Sequence, residues 1–181
     1  MFKGGTSLSK VWKVIHRFSE DIDLAIDPSI WGFEGDLTKK QIKRLRKASS
    51  IFVRDEFCHS FQEAVSETGM EKWLQVEADP GGEGDGTYPE PRMIYICYKS
   101  LFDEDLPYLH SEVKLEVSAR SLLEPTAEAA VTSILEDALP ISTTVKQVMI
   151  PTALAEKTFL EKAFLLHELF SSQSLREANR K

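Results

Sequence analysis

The sequence has no apolar run approaching the roughly 20 residues that a membrane-spanning helix requires, which argues against a membrane protein. It is also poor in cysteine: Cys58 and Cys97 are its only two, and their separation fits neither a disulfide framework nor a zinc-ligand spacing. The four histidines, His16, His59, His110 and His167, show no mutual spacing that would suggest zinc either. The opening residues Met1-Phe2-Lys3-Gly4-Gly5 lack the basic, apolar and small-residue succession of a signal peptide, so a reducing, cytoplasmic setting is expected. Cationic excess is missing as well. With 22 Lys and Arg against 29 Asp and Glu, the net charge of -7 argues against a protein that coats nucleic acid, while leaving room for a local basic patch.

What remains is the composition of an ordinary globular chain, 42% hydrophobic and 28% charged, and 181 residues are enough to bury a stable core. The first 26 residues suggest a short extended piece, a turn at the glycines and a helix from Ser7 to about Ile15. A strand follows, in which Ile22, Leu24 and Ile26 alternate with Asp21, Asp23 and Ala25. Thr38 is placed to cap a long helix reaching about Glu67, ended by Gly69. Strands are expected at Trp73 to Ala78 and Met93 to Tyr98, around an acidic, glycine-rich loop from Asp79 to Pro91. Glu112 to Ser118 alternates cleanly, with Val113, Leu115 and Val117 on the core face and Glu112, Lys114 and Glu116 on the other. A short helix around Glu128 to Leu139, a strand near Thr144 to Ile150 and a helix from about Leu154 to Phe170, with Pro151 and Thr152 near its start, complete the order. Such an order is α+β, a mixed β-sheet with helices packed on it.

The chemistry concentrates in residues 4 to 23. Successive glycines ahead of a helix let backbone N–H groups approach a triphosphate closely, so Gly4 and Gly5 are candidate phosphate-binding positions, with Thr6 and Ser7 as hydroxyl donors. Asp21 and Asp23, two apart on a strand, point the same way, a costly like-charge arrangement unless a cation lies between them. Mg²⁺ or Mn²⁺, hard ions that bridge carboxylates and phosphates, fit that place. Taken alone, an Asp-x-Asp is more often a solvated strand face; the glycine pair at this spacing is what favours metal. A third carboxylate from a neighbouring strand would complete a two-metal site, and Glu116 is the candidate, with Glu112 behind it. Glu116 could equally be a surface residue paired with Lys114. In the last helix Phe159, Ala163, Leu166 and Phe170 form an apolar stripe and Lys157, Glu161 and Glu168 a polar side. Lys162 falls at the stripe's edge, where it either snorkels past the core or reaches the nucleotide's phosphates. The basic stretch Lys39, Lys40, Lys43, Arg44, Arg46 and Lys47 is either a solvated helix or an RNA-facing patch.

The run Lys3-Gly4-Gly5-Thr6-Ser7-Leu8-Ser9-Lys10 followed by Arg17-Phe18-Ser19-Glu20-Asp21-Ile22-Asp23-Leu24 closely resembles the AbiEii/AbiGii toxin nucleotidyltransferases. The resemblance continues through Lys40 to Lys47, Val113 to Arg120 and Glu156 to Lys162, and so spans nearly the whole chain. It implies a DNA-polymerase-β-like nucleotidyltransferase core with metal on the paired aspartates. It also implies a nucleotide-contacting lysine matching Lys162 and a serine beside the metal matching Ser19. It further implies a nucleoside triphosphate substrate (GTP or a pyrimidine nucleotide), tRNA as an acceptor and a winged-helix antitoxin as a partner. The pattern departs from the family at its end: no later aspartate follows the lysine helix before Lys181. A single nucleotidyltransferase domain over residues 1–181, lacking the family's C-terminal helical part, is therefore expected. The expected activity is metal-dependent transfer of NMP from an NTP to an acceptor hydroxyl. Its rivals are a catalytically incomplete NTP-binding protein and a kinase-like phosphotransferase.

Overall fold

The structure, a computed structural model, describes residues 1–17, 19, 21–81, 88–100, 111–133, 138–139 and 147–178, with side chains to residue 171. Its strands are β1 (Phe2–Lys3), β2 (Asp21–Ala25), β3 (Leu74–Ala78), β4 (Arg92–Tyr98), β5 (Glu112–Ser118), β6 (Thr126–Val131) and β7 (Val148–Ala153). They form one mixed sheet in the order β3-β4-β5-β2-β1-β7-β6. The helices are α1 (Gly4–Lys10), α2 (Lys39–Phe52), α3 (Cys58–Glu67) and α4 (Ala155–Ala178). The α+β reading stands, and no helix among the described residues is long and apolar enough to cross a membrane.

The long helix expected after Thr38 is present, with a wider π turn at Val53–Phe57 joining α2 to α3. Thr38 and Gln41 cap it reciprocally: the Gln41 amide donates to Thr38 Oγ1 at 3.3 Å and the Thr38 amide to Gln41 Oε1 at 2.9 Å. Residues 65 to 70 close the helix by turning through Gly69 at φ +68°. This α2–α3 unit covers one face of the sheet. Val53 and Cys58 bury themselves against Val76, Ile94, Leu115 and Val117, with Ile22 and Leu24 packed alongside. Because side chains alternate along a strand, burying Ile22, Leu24, Leu115 and Val117 on this face turns Asp21, Asp23 and Glu116 to the other.

A tie at the end of β5 fixes this unit to the sheet. The Glu90 carboxylate accepts from Ser49 Oγ of α2 at 2.7 Å, from Ser118 Oγ at 2.8 Å and from the Ala119 amide at 2.7 Å. Beside it Arg92, 2% exposed, donates to Ser50 Oγ at 2.7 Å and to the Asp79 carbonyl at 2.5 Å. Burial lowers the Arg92 pKa from its ordinary value, but a guanidinium titrates so high that it remains charged.

Four expectations are corrected. Residues 126–131 form strand β6 and not the start of a helix: Ala127, Ala129 and Ala130 favour helix intrinsically, but continuous antiparallel pairing with β7, from Thr126–Ala153 to Val131–Val148, overrides that small preference. The strand expected to end near Ile150 runs on to Ala153 as β7 and takes in Pro151 and Thr152, while the last helix begins at Ala155, next to its expected start at Leu154. Helix α1 ends at Lys10, well before Ile15. Lys13 takes a left-handed φ of 52°, and the Trp12 indole N–H donates to the Ala153 carbonyl at 2.8 Å, which draws the chain across to the end of β7. Finally, α4 meets the body through Leu154, Lys157, Thr158 and Glu161, one helical face, leaving the predicted apolar stripe outward, with Phe159 68% and Phe170 69% exposed. Lys157, expected on the polar side, is therefore buried, and its ammonium donates to the Leu122 carbonyl and lies 3.7 Å from Glu161. The middle of the acidic loop at 82–87, residues 134–137 and 140–143 and the 144–146 part of the predicted strand lie outside the described residues.

Candidate active site

Strand β2 is central because it is flanked on both sides. It runs antiparallel to β1, with Lys3 opposite Asp23, and parallel to β5, with Asp21 opposite Lys114 and Asp23 opposite Glu116. Paired residues of adjacent strands project to the same side of a sheet, so Asp21, Asp23, Glu116, Lys3 and Lys114 share one surface. The register also separates the two glutamates considered for the third carboxylate. Glu116 lies level with Asp23, whereas Glu112 lies beyond the paired segment of β2 and is 3.7 Å from the Lys114 ammonium.

The carboxylates are electrostatically coupled. Partial burial raises the Asp23 pKa above its ordinary value; Lys3 and Lys162 pull it down, and Asp21 pushes it up. Glu116 is raised by burial first, then by the negative charges of Asp23 and Asp21. The interaction between the two carboxyl groups acts in opposite directions, lowering Asp23 and raising Glu116. Carboxylates crowded in this way mark a place where a cation would relieve their repulsion.

The glycine turn crosses directly over this pair. Gly4 has φ +77°, and a Cβ built on it would lie 1.7 Å from Asp23 Oδ2. Both backbone conformation and space therefore demand glycine there. Gly5 faces a different neighbourhood, since a Cβ on it would lie 3.1 Å from Ser19 Oγ and 3.2 Å from an Arg17 guanidinium nitrogen. Two of the hydroxyls of α1 hold the turn. Thr6 Oγ1 donates to the Asp21 carbonyl, and Ser7, fully buried, donates to the Gly4 carbonyl at 2.8 Å.

The structure thus brings together Gly4, Gly5, Thr6, Ser19, Asp21, Asp23 and Glu116, with Lys162 on the exposed side of α4 near enough for its charge to act on Asp23. Ser7 contributes from beneath the turn. Sequence reasoning passed over Lys3 and Arg17. Their adjacency to the glycine pair and to Ser19 was a signal, but only β-pairing and the fold of the 11–19 segment show that their charges reach this surface.

The donor set suits a hard divalent ion in kind: carboxylate oxygens, with no competing thiol or imidazole. Among the described residues no group of three such side chains is already arranged to hold a metal ion.

A family model described as nucleotidyl transferase AbiEii toxin of a type IV toxin-antitoxin system matches residues 1–180. The chain belongs to the AbiEii toxin family. AbiEii proteins are nucleotidyltransferase toxins, which places a nucleotide among the substrates and an antitoxin among the partners that the family implies. No curated protein and no solved structure matches the chain.

Proposed function

We propose that this AbiEii protein transfers a nucleoside monophosphate from an NTP to a hydroxyl at the end of a tRNA, on the surface formed by Asp21, Asp23 and Glu116 under the Gly4 turn. The observation that carries the reading is the register: Glu116 stands level with Asp23, and Gly4 has no room for a side chain over the same carboxylate. GTP or a pyrimidine nucleotide is the donor, and a winged-helix antitoxin in the same cytoplasm opposes the toxin.

Asp21, Asp23 and Glu116 would hold Mg²⁺ or Mn²⁺, which supplies charge neutralisation at the α-phosphate and lowers the pKa of the attacking hydroxyl. The chain's own residues position the reactants. The backbone at Gly4 and Gly5 lies against the triphosphate, Thr6 pins the turn to β2, and Lys162 and Lys3 offset the negative charge gathered at Asp23. The acceptor oxygen forms a bond to the α-phosphorus as the bond to the α,β-bridging oxygen breaks. Pyrophosphate leaves with the electron pair, and the hydroxyl proton passes to water. Asp23 and Glu116, both raised from their ordinary pKa values, would have to be ionised to hold the metal.

The test is transfer of α-³²P label from each NTP onto a total tRNA pool with Mg²⁺, with Asp21→Asn as control. Label on RNA that disappears in the variant, with an unchanged melting temperature, supports the assignment and names the nucleotide. Unchanged turnover in Asp21→Asn would sink it. Label that reaches an acceptor only from γ-³²P NTP identifies a phosphotransferase instead, and Mg²⁺-dependent NTP binding with no label transferred identifies a binding protein.

A further inference from the structure

We propose that Arg17 is a substrate-contacting residue of this transfer, binding the phosphates that depart as pyrophosphate on the Gly5 side of the turn. The inference rests on the nucleotidyltransferase reading and adds to it the polarity of the bound triphosphate.

The two glycines look onto opposite charges. Gly4 abuts the Asp23 carboxylate, while Gly5 abuts Ser19 Oγ and an Arg17 guanidinium nitrogen. Successive Cα atoms are only about 3.8 Å apart, so the turn changes from an anionic to a cationic neighbour within one residue. A triphosphate lying along it with its α-phosphate at the carboxylates has its β- and γ-phosphates over Gly5. Gly5 itself is buried with Ser19 and Arg17 against it, whereas Arg17 is exposed, so a ligand arriving from solvent on this side meets the guanidinium. Chemistry supports this orientation. A planar guanidinium fork pairs with two phosphate oxygens at once and stays charged at any physiological pH. In a chain of net charge -7, with three carboxylates at the reaction centre, a polyanion needs positive charge at its far end to bind at all. As the bond between the α-phosphorus and the bridging oxygen breaks, the electron pair stays on pyrophosphate, and a fixed cation beside that oxygen stabilises the developing charge.

Calorimetric titration of wild type, Arg17→Ala and Arg17→Lys with inorganic pyrophosphate in Mg²⁺, and separately with nucleoside monophosphates, tests this directly. Arg17→Ala should weaken pyrophosphate binding by at least about tenfold, leave monophosphate binding within about twofold and lower the transfer rate by about 10²–10³, the range for loss of one oriented charge-stabilising donor. Arg17→Lys should recover part of the loss, since it keeps the charge without the fork. Equal pyrophosphate affinity in wild type and Arg17→Ala overturns the proposal, as does a wild type that binds no pyrophosphate. An equal loss of monophosphate and pyrophosphate binding, accompanied by a lower melting temperature, also overturns it by showing a structural role. A wild type that transfers no labelled nucleotide counts against the parent reading, while the pyrophosphate comparison still judges Arg17.

Discussion

Replacing Gly4 by alanine subjects the site to two separable stresses. The first is backbone strain: φ is +77°, and holding an L-residue in the left-handed region costs about 1–2 kcal/mol. The second is collision. The new Cβ would lie 1.7 Å from Asp23 Oδ2 and 2.9 Å from Asp23 Cβ, and ordinary contact begins at 3.4 Å. The carboxylate must therefore retreat by well over the ~1 Å that can cost on the order of 10²-fold in rate when a reacting group is misplaced. Gly32 supplies a matched control, having φ +73° but nothing within 4 Å of its would-be Cβ. Gly32→Ala should lower the melting temperature by about 2–4 °C per kcal/mol of strain and leave activity alone, whereas Gly4→Ala should lose at least about 10²-fold in transfer of α-labelled NMP on top of a similar or larger loss of stability. Both variants go through the same thermal melt and the same transfer assay. Gly4→Ala retaining transfer within about threefold of Gly32→Ala would refute the reasoning, because the turn would then not be fixed over Asp23.

Glu90→Gln removes an ionised acceptor that serves three donors at once, and its new amide NH₂ must face a hydroxyl or a backbone N–H. We expect a loss of about 1.5–3 kcal/mol, seen as a lower urea midpoint at constant slope, and a change under about 0.5 kcal/mol would show that the tie between α2 and the end of β5 is not stabilising. The pH dependence of the metal-free protein follows from the raised pKa values of Asp23 and Glu116, whose ordinary values are 3.8 and 4.5. Between those values and the raised folded ones the folded state binds more protons than the unfolded chain, so stability falls as pH rises through that window and levels off above it. With divalent cations chelated, Glu116→Gln should flatten that decline and stabilise the fold at neutral pH; coincident melting-temperature profiles of variant and wild type from pH 4.5 to 8 would contradict it.

Much of the site was legible locally. The glycine pair, the helix behind it and the Asp-x-Asp strand lie within residues 4 to 23, where spacing and alternation alone put both aspartates on one face and a turn beside them. The α2–α3 helix was legible for the same reason, because a capping box and a left-handed glycine stop are contacts between near neighbours. What lay out of reach was pairing. Periodicity gives the face of a strand but not its partner or register, so Glu116 and Glu112 looked alike until the parallel ladder set Glu116 beside Asp23. The alanine-bearing segment at 126–131 read as helix because propensity is a local preference of tenths of a kcal/mol, and pairing with β7 outweighs it. The same holds for Lys157 and Arg17. Composition and spacing determined which charges this chain carries and which face of each element they occupy, while the packing of distant elements decided that one lysine is buried against Leu122 and that one guanidinium rests on Gly5.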